Sequence, residues 1–257
     1  MPLAMVSKSK VRFIRGLCQK KIRQQTDLYI VEGPHMVEEL LQWCPQDVEE
    51  IFAEEAWATA YASTSPACKD RLHTSSLHYV VGDELASMSC QQAPNQVLAL
   101  VRKRTPAIAV ASAGQITLAL DAIRDPGNLG TILRTADWFG IQHVVCSLDT
   151  AELYNPKVVQ ATMGSIFRLS VAYVDLAVWL QGLQGLPVYC TGLQGESIRS
   201  LSPLAEGVLL IGNEARGVSE NLRVLATHQI TIPRYGHAEF LNASVAAGIL
   251  LAHCGNG

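Results

Sequence analysis

Three short segments of this chain carry residue types that could hold a ligand or assist a reaction. Asn128 and Arg134 belong to the first segment, Glu214 to the second and Asn242 to the third. Each segment follows or begins beside a short apolar run that predicts a buried strand, and each is rich in Gly, Pro or Asn. In open α/β sheets, ligands bind in the crevice beyond the carboxyl ends of the strands. The pattern therefore predicts a ligand site, although three ordinary loops at the edge of a buried sheet would show the same composition.

The spacing within the first segment argues against two common phosphate-binding motifs. Residues 121–140 read DAIRDPGNLGTILRTADWFG, which matches neither GxGxxG nor a P-loop, so a dinucleotide or nucleoside triphosphate site is not expected. Positions 128, 131 and 134 are successive i, i+3 neighbours, which predicts Asn128 and Arg134 on one edge of the helix start. Taken alone, an arginine such as Arg134 is more often a surface residue or part of an ion pair.

The elements that must position these residues form two groups. The first group predicts a small α/β sandwich, because strands alternate with helices. Its predicted strands are 27–32, 48–53, 78–82 and 96–101, and its predicted helices are 8–24, 35–43, 54–61 and 82–88. The second group predicts a parallel sheet. Its predicted strands are 116–120, 143–147, 168–174, 187–191, 208–211 and 230–232, with helices starting near Asn128, Asn155, Asp175 and Asn242.

The predicted domains follow from these two groups. Residues 1–104 form the first domain and residues 115–257 the second, with a linker at 105–114 where small residues and a proline predominate. No apolar run reaches the ~18 residues that a membrane span needs, and the first residues lack the apolar region of a signal peptide. The seven cysteines include no CxxC pair, and the seven histidines show no HxH or HExxH. We therefore expect reduced thiols, a cytoplasmic location and no metal.

Basic residues are concentrated near the start of the chain, although the net charge is -3. Residues 7–25 contain no Asp or Glu, and their basic residues are Lys8, Lys10, Arg12, Arg15, Lys20, Lys21 and Arg23. A basic stripe on a mildly acidic chain indicates a surface that binds a polyanion such as RNA. The alternative is a solvated helix face without a partner.

Together, the three segments resemble the signature motifs of the SpoU family of RNA 2'-O-ribose methyltransferases, also called TrmH-like, in the SPOUT superfamily. The family pattern N-x-G-x-x-x-R-x-A-x-x-F-G is matched by residues 128–140, and the second motif resembles residues 211–217, IGNEARG. The third resembles Ile232-Pro233 followed by residues 241–244, LNAS. Residues 7–40 also resemble the RNA substrate-binding domain that many members carry.

The resemblance implies a homodimer with a small N-terminal α/β RNA-binding domain and a C-terminal parallel-sheet SPOUT domain. This second domain would contain a deep trefoil knot, an exception to the usual absence of knots. S-adenosylmethionine would lie in the knot. The resemblance implies that its binding residues are Gly212, Asn213, Ile232, Leu241 and Ser244. Thr191 and Gly192, at the end of the preceding strand, would be their neighbours in the cofactor site.

The implied reaction transfers a methyl group from the sulfonium of S-adenosylmethionine to a ribose 2'-OH, of ribosomal RNA in preference to transfer RNA. The residues implied in catalysis are Arg134, Asn128, Glu214 and Asn242. Because arginine stays protonated in proteins, we expect Arg134 to stabilise the developing alkoxide and the adjacent phosphate instead of accepting the proton. Asn128 would orient Arg134, and Glu214 would pair with it.

One position departs from the family pattern. Phe240 stands where the family usually has a serine before Leu-Asn. A phenyl ring cannot donate a hydrogen bond, but it could stack on a base or a sugar. The departure leaves open a catalytically impaired cofactor- and RNA-binding protein that acts in ribosome assembly. Methylation of a base is a third alternative, which the pair Asn128 and Arg134 disfavours.

Overall fold

The computed structural model describes residues 6–74, 76–105, 113–183 and 185–254, and they form two compact units. The first unit contains the chain up to Thr105 together with Tyr154–Phe167, and the second contains the rest. The contacts group residues 154–167 with the first unit because, for example, the Tyr154 ring lies 4.5 Å from the Tyr29 ring. The sequence boundary places them in the second domain. The limits 1–104 and 115–257 stay a prediction, and residues 106–112 of the predicted linker lie outside the described residues.

A mixed four-stranded sheet with the order β1-β4-β2-β3 forms the centre of the first unit. Its strands are β1 (Leu28–Glu32), β2 (Val48–Ala53), β3 (Ser76–Tyr79) and β4 (Val97–Arg102). Strand β4 is antiparallel to β1 and β2, and β2 is parallel to β3. The helices are α1 (Lys8–Gly16), α2 (Lys20–Thr26), α3 (Pro34–Trp43), α4 (Glu55–Thr64), α5 (Pro66–Thr74), α6 (Gly82–Met88) and, later in the chain, α8 (Pro156–Ala161). The sequence analysis missed α5.

The helix predicted over residues 8–24 is two helices, because the chain turns between α1 and α2. The guanidinium of Arg23 donates hydrogen bonds to the carbonyl oxygens of Leu17 and Cys18 at 2.8 and 3.0 Å, which satisfies backbone groups that the break leaves unpaired. Arg23 is only 1% exposed. Its predicted place among the RNA-binding residues is therefore wrong: the side chain is buried and supports the turn.

Cys18, in the same turn, forms a disulfide bond with Cys90, which follows α6. The expectation that all thiols are reduced is wrong for this pair. The two Cα atoms lie 5.6 Å apart although the residues are 72 positions apart in the chain, so cysteine spacing gave no sign of the bond. The predicted cytoplasmic location, which rested on the cysteines, stays a prediction.

Glu32 holds the segment around Cys90 from inside the first unit. Its carboxylate accepts hydrogen bonds from the Ser89 hydroxyl and, at 3.0 Å, from the Cys90 amide. Burial raises the pKa of this carboxyl above its ordinary value of 4.5, and the hydrogen bonds from Ser89 and Cys90 offset part of that effect. The folded state therefore favours the protonated form of Glu32 relative to the unfolded chain.

We predict that Glu32→Gln reduces the pH dependence of stability. Between the pKa of Glu32 in the unfolded chain and its raised pKa in the folded protein, the folded state binds more protons. Its contribution to stability is therefore highest below that window and is lost as pH rises through it. As the pH rises from about 4 through the raised pKa of Glu32, the free energy of unfolding of Glu32→Gln should fall less than that of wild type. Glu38→Gln, at an exposed position of α3, is the control; equal pH profiles for Glu32→Gln and wild type would contradict the prediction.

A six-stranded sheet with the order β10-β8-β9-β5-β6-β7 forms the centre of the second unit. Its strands are β5 (Ile116–Leu120), β6 (His143–Ser147), β7 (Ser170–Val174), β8 (Val188–Ser197), β9 (Gly207–Ile211) and β10 (His228–Thr231). Every neighbouring pair is parallel, so the predicted parallel sheet is confirmed. All residues of β5 and β9 are buried, as expected for central strands covered on both faces.

Helices α7 (Pro126–Trp138), α9 (Leu176–Gln181), α10 (Glu220–Arg223) and α11 (Ala243–Leu251) complete the second unit. Asn155, Asp175 and Asn242 cap α8, α9 and α11 as predicted, because each side chain accepts a backbone N–H of the first turn. The start predicted for α7 at Asn128 is wrong: the helix begins at Pro126, and the Asp125 carboxylate accepts the Asn128 N–H at 2.8 Å. The described residues contain no helix long and apolar enough to cross a membrane.

Backbone segments pass one another at very short range beyond β9. A Cβ atom on Gly212 would lie 2.2 Å from backbone atoms of Gly217 and Val218, so only glycine fits there. A Cβ on Gly195 would likewise lie 2.5 Å from the Gln229 carbonyl oxygen. Close backbone crossings of this kind suit a threaded chain, but the trefoil knot itself stays a prediction.

Candidate active site

The three segments singled out from the sequence meet at one edge of the parallel sheet. Strands β5 and β9 end in register, with Leu120 opposite Ile211, and the Asp121 N–H donates to the Ile211 carbonyl at 2.9 Å. The chain beyond β5 leads into α7, and the chain beyond β10 leads into α11, which packs on α7. The predicted convergence of the three segments is therefore confirmed.

Asn128, Glu214 and Asn242 form a hydrogen-bonded cluster, to which each segment contributes one side chain. The Asn128 amide donates to Glu214 Oε1, and the Asn242 amide donates to Asn128 Oδ1 at 2.9 Å. Glu214 Oε1 also accepts the Ala243 N–H at 3.2 Å, at the start of α11. The N-terminus of a helix carries partial positive charge, which favours a carboxylate at this position.

Asn242 has a second role as the cap of α11. Its Oδ1 accepts the N–H of Ser244 at 3.0 Å and the Ser244 hydroxyl at 2.6 Å. In both Asn128 and Asn242, the side-chain amide therefore donates a hydrogen bond and the Oδ1 atom accepts one. The Ser244 hydroxyl, predicted to contact the cofactor, is engaged with Asn242 in this structure.

The loop that follows β9 is held in shape by Asn213. Its carbonyl oxygen accepts the Gly217 N–H at 2.7 Å, and its Oδ1 accepts the Ala215 N–H at 3.0 Å. Its amide donates to the Ala122 carbonyl at 3.2 Å. The side chain of Asn213, predicted to contact the cofactor, therefore makes all its hydrogen bonds in this structure with the protein backbone.

Asp121 is a site residue that the sequence analysis did not single out. Its carboxylate is buried and accepts the Ser219 N–H at 2.8 Å, which ties the end of the β9 loop to the end of β5. The signal was a carboxylate directly after an apolar strand, next to the first motif. A buried carboxylate at a strand end requires a partner, and here the partner is a backbone amide.

Arg134 lies outside the hydrogen-bonded cluster. It is exposed on α7, and among the described residues its side chain has no hydrogen bond or ion pair. Two sequence predictions are therefore wrong: Asn128 does not orient Arg134, and Glu214 does not pair with it. Glu214 Oε1 instead accepts hydrogen bonds from Asn128 and Ala243. At about 100° per residue, six residues of α-helix leave two side chains about 120° apart, so the i+6 spacing does not place them on one edge.

The residues predicted to bind the cofactor lie within or after three adjacent strands, β10, β8 and β9. Thr191 and Gly192 follow Cys190, the last residue of β8 that pairs with β9, and they lie where the register between β8 and β10 shifts. Strand β8 continues to Ser197, beyond the end predicted at residue 191. Ile232 follows β10, Gly212 follows β9, and Leu241 is 43% exposed beside Asn242.

These features fit S-adenosylmethionine. An exposed apolar side chain at Leu241 suits an adenine ring, and the glycine at 212 brings backbone close to the site without a side chain. The Asn128 and Ala243 contacts both use Glu214 Oε1, and no hydrogen bond to Oε2 is found among the described residues, so this oxygen can face a cation. Within the described part of the chain, no group of three or more His, Cys, Asp and Glu side chains could hold a metal ion. Metal independence stays a prediction.

Sequence comparison decides the family. The model of the SpoU rRNA Methylase family matches residues 115–252, which is more than half of the chain. The chain belongs to this family. The model of the MRM3-like substrate binding domain matches residues 8–99. The family resemblance predicted from the motifs is therefore confirmed for both parts of the chain.

Three relatives match nearly the whole length of this SpoU family member. It is 34% identical to the 23S rRNA (guanosine(2553)-2'-O)-methyltransferase RlmP of Bacillus subtilis (strain 168), over 95% of this chain and 95% of that one. A solved TrmH-family structure from Porphyromonas gingivalis is 32% identical with a TM-score of 0.84, over 97% of this chain and 98% of that one. The AdoMet-bound rRNA methyltransferase of Sinorhizobium meliloti is 27% identical with a TM-score of 0.82, over 97% and 95%.

We predict that Gly212→Ala destabilises the second unit. The new methyl group would overlap the Gly217–Val218 backbone at 2.2 Å, so one of two backbone segments must move. Overpacking of this kind costs about 1–3 kcal/mol. Gly236→Ala is the matched control, because a Cβ there would have no neighbour within 4 Å. Denaturant unfolding should give a lower free energy of unfolding for Gly212→Ala than for Gly236→Ala. Equal values would contradict the close approach of the backbone at Gly212 to Gly217 and Val218.

Proposed function

We propose that this SpoU family member is an S-adenosylmethionine-dependent methyltransferase that modifies a ribose 2'-OH of ribosomal RNA. The observation that carries the proposal is the Asn128–Glu214–Asn242 cluster, which joins all three family motifs at the carboxyl edge of the sheet. Two relatives support its chemistry: the Bacillus subtilis relative is named a 23S rRNA 2'-O-methyltransferase, and the Sinorhizobium meliloti structure holds AdoMet.

The cofactor supplies a methyl group on a positively charged sulfur, and the residues around its site would bind and orient it. Gly212, Ile232 and Leu241 would surround the adenosyl group, together with backbone at Thr191 and Gly192. The Glu214 carboxylate would face the positive charge through Oε2. Because Asn128 and the start of α11 fix Glu214, this negative charge is held in place before the substrate binds.

Arg134 would act on the RNA. An arginine that lacks an internal ion pair keeps its guanidinium donors for a ligand, and the planar fork matches a phosphate or an alkoxide oxygen. Arg134 would therefore bind the phosphate next to the target ribose and stabilise the charge that develops on the 2'-oxygen. Because arginine remains protonated, the proton would leave to water or to a substrate phosphate.

The first unit would contribute RNA affinity through a basic groove. The groove has a volume of about 750 Å³, and Lys8, Arg12 and Arg15 line it on α1. Lys20 and Lys21 are exposed on the neighbouring α2. Of the other predicted RNA-binding residues, Lys10 is ion-paired with Glu50, which offsets its charge. We therefore expect Lys8, Arg12 and Arg15 in the groove, together with Lys20 and Lys21, to contact the RNA.

The second unit would also mediate homodimer formation. Val245 and Ile249, four residues apart on α11, are 51% and 39% exposed, and Trp138 at the end of α7 is 84% exposed. Helices α7 and α11 pack together, and large exposed apolar side chains on adjacent elements mark interaction surfaces. A second copy of the chain would cover them, as the family resemblance implies.

We predict that Arg134→Ala lowers methyl transfer by about 10²–10³-fold, the loss typical of removing one donor that stabilises developing charge. The measurement is tritium transfer from labelled S-adenosylmethionine to ribosomal RNA from a strain that lacks the modification. Arg134→Lys should be intermediate, because lysine keeps the charge but not the fork. Arg124→Ala is the control, since Arg124 is a surface arginine paired with Asp149.

Three outcomes would change the proposal. Label in a base instead of in nuclease-resistant ribose-methylated dinucleotides would indicate base methylation. No label, with cofactor binding still seen by calorimetry, would support the impaired RNA-binding protein that Phe240 leaves open. Full activity in Arg134→Ala would remove Arg134 from the reaction.

A further inference from the structure

The loop between β10 and α11, residues 232–242, presents two aromatic side chains to solvent. Tyr235 is 79% exposed and Phe240 is 53% exposed. The loop ends at Asn242, which belongs to the hydrogen-bonded cluster of the candidate active site. Folding alone does not account for two exposed rings on a loop beside such a site, because exposure forgoes the free energy of burying them.

Two arginines accompany these rings. Arg199 donates to the Tyr235 hydroxyl at 3.0 Å, and its Cζ lies 5.2 Å from the centre of the Tyr235 ring. Arg234, on the loop itself, is exposed and donates to the Ala238 carbonyl at 3.4 Å. Glu239 is the carboxylate of the loop. The loop and the arginine that contacts Tyr235 therefore carry two guanidinium groups and one carboxylate.

We propose that Tyr235 and Phe240 stack on unpaired nucleotides that flank the target ribose, while Arg199 and Arg234 contact the adjoining phosphates. The inference rests on the proposed function and specifies its substrate: a single-stranded loop or bulge of RNA, not a duplex. Bases inside a duplex are already stacked on their neighbours, whereas the faces of unpaired bases are free to stack on protein rings. Arg199 contacts the hydroxyl and the ring of Tyr235, and the rest of that ring is exposed and can stack on a base.

The test measures RNA binding by the full-length protein and does not depend on catalysis. The probe is a fluorescein-labelled single-stranded RNA of mixed sequence, compared by anisotropy with the same RNA as a blunt duplex. Tyr235→Ala and Phe240→Ala should each weaken binding of the single strand by about 5-fold or more, since one stacked base contributes that much. Binding of the duplex should be unchanged, and Phe240→Trp should retain wild-type affinity.

Val178→Ala is the matched control, because Val178 is 66% exposed on α9. Thermal unfolding and cofactor calorimetry of the loop variants should equal those of wild type. Unchanged single-strand affinity in both alanine variants would overturn the inference. It would also be overturned if the variants became monomers in sedimentation, because the rings would then belong to a subunit interface. A wild-type protein that binds single strands through the rings but transfers no methyl group would leave this inference standing and overturn the proposed reaction.

Discussion

One carboxylate oxygen, Glu214 Oε1, joins the three parts of the site. It accepts the Asn128 amide from α7 and the Ala243 N–H at the start of α11, while its own backbone belongs to the loop after β9. A part-buried carboxylate needs such donors, because a charge removed from water without them is costly. The same two hydrogen bonds connect α7 to the start of α11. The donors that stabilise the charge of Glu214 are therefore the same groups that connect the three segments of the site.

The cluster also explains why Arg134 is free. If Glu214 paired with Arg134 through Oε2, that oxygen could not also face the positive charge of the cofactor, and the guanidinium would already be neutralised. Because Glu214 bonds to Asn128, Arg134 remains exposed six residues beyond Asn128 on α7. A protein that must bind a phosphate benefits from this separation, since a guanidinium without an internal partner gives up no ion pair when substrate arrives.

Local sequence patterns predicted the structure correctly where a side chain bonds to residues close to it in the chain. Asn155, Asp175 and Asn242 cap helices through bonds that span two or three residues, and strands β2, β5 and β6 have the predicted limits. The predictions were wrong where a residue's partner is distant in the sequence, or where the angle between two side chains on a helix decides their contact. The Cys18–Cys90 bond joins residues 72 positions apart, and the burial of Arg23 depends on a turn that the helical pattern did not reveal. The Arg134 error came from extending an i, i+3 rule to six residues.

Phe240 is the position where the family pattern and this chain differ, and the structure limits what the difference can affect. No hydrogen bond described for the Asn128–Glu214–Asn242 cluster requires a side chain at residue 240. Asn242 caps α11 through its own Oδ1, and the Ser244 hydroxyl bonds to the same atom. Loss of a serine hydroxyl at 240 therefore leaves the scaffold of the site intact. Its effect must fall on whatever contacts the exposed face of the loop, and an aromatic ring there favours a base over a phosphate.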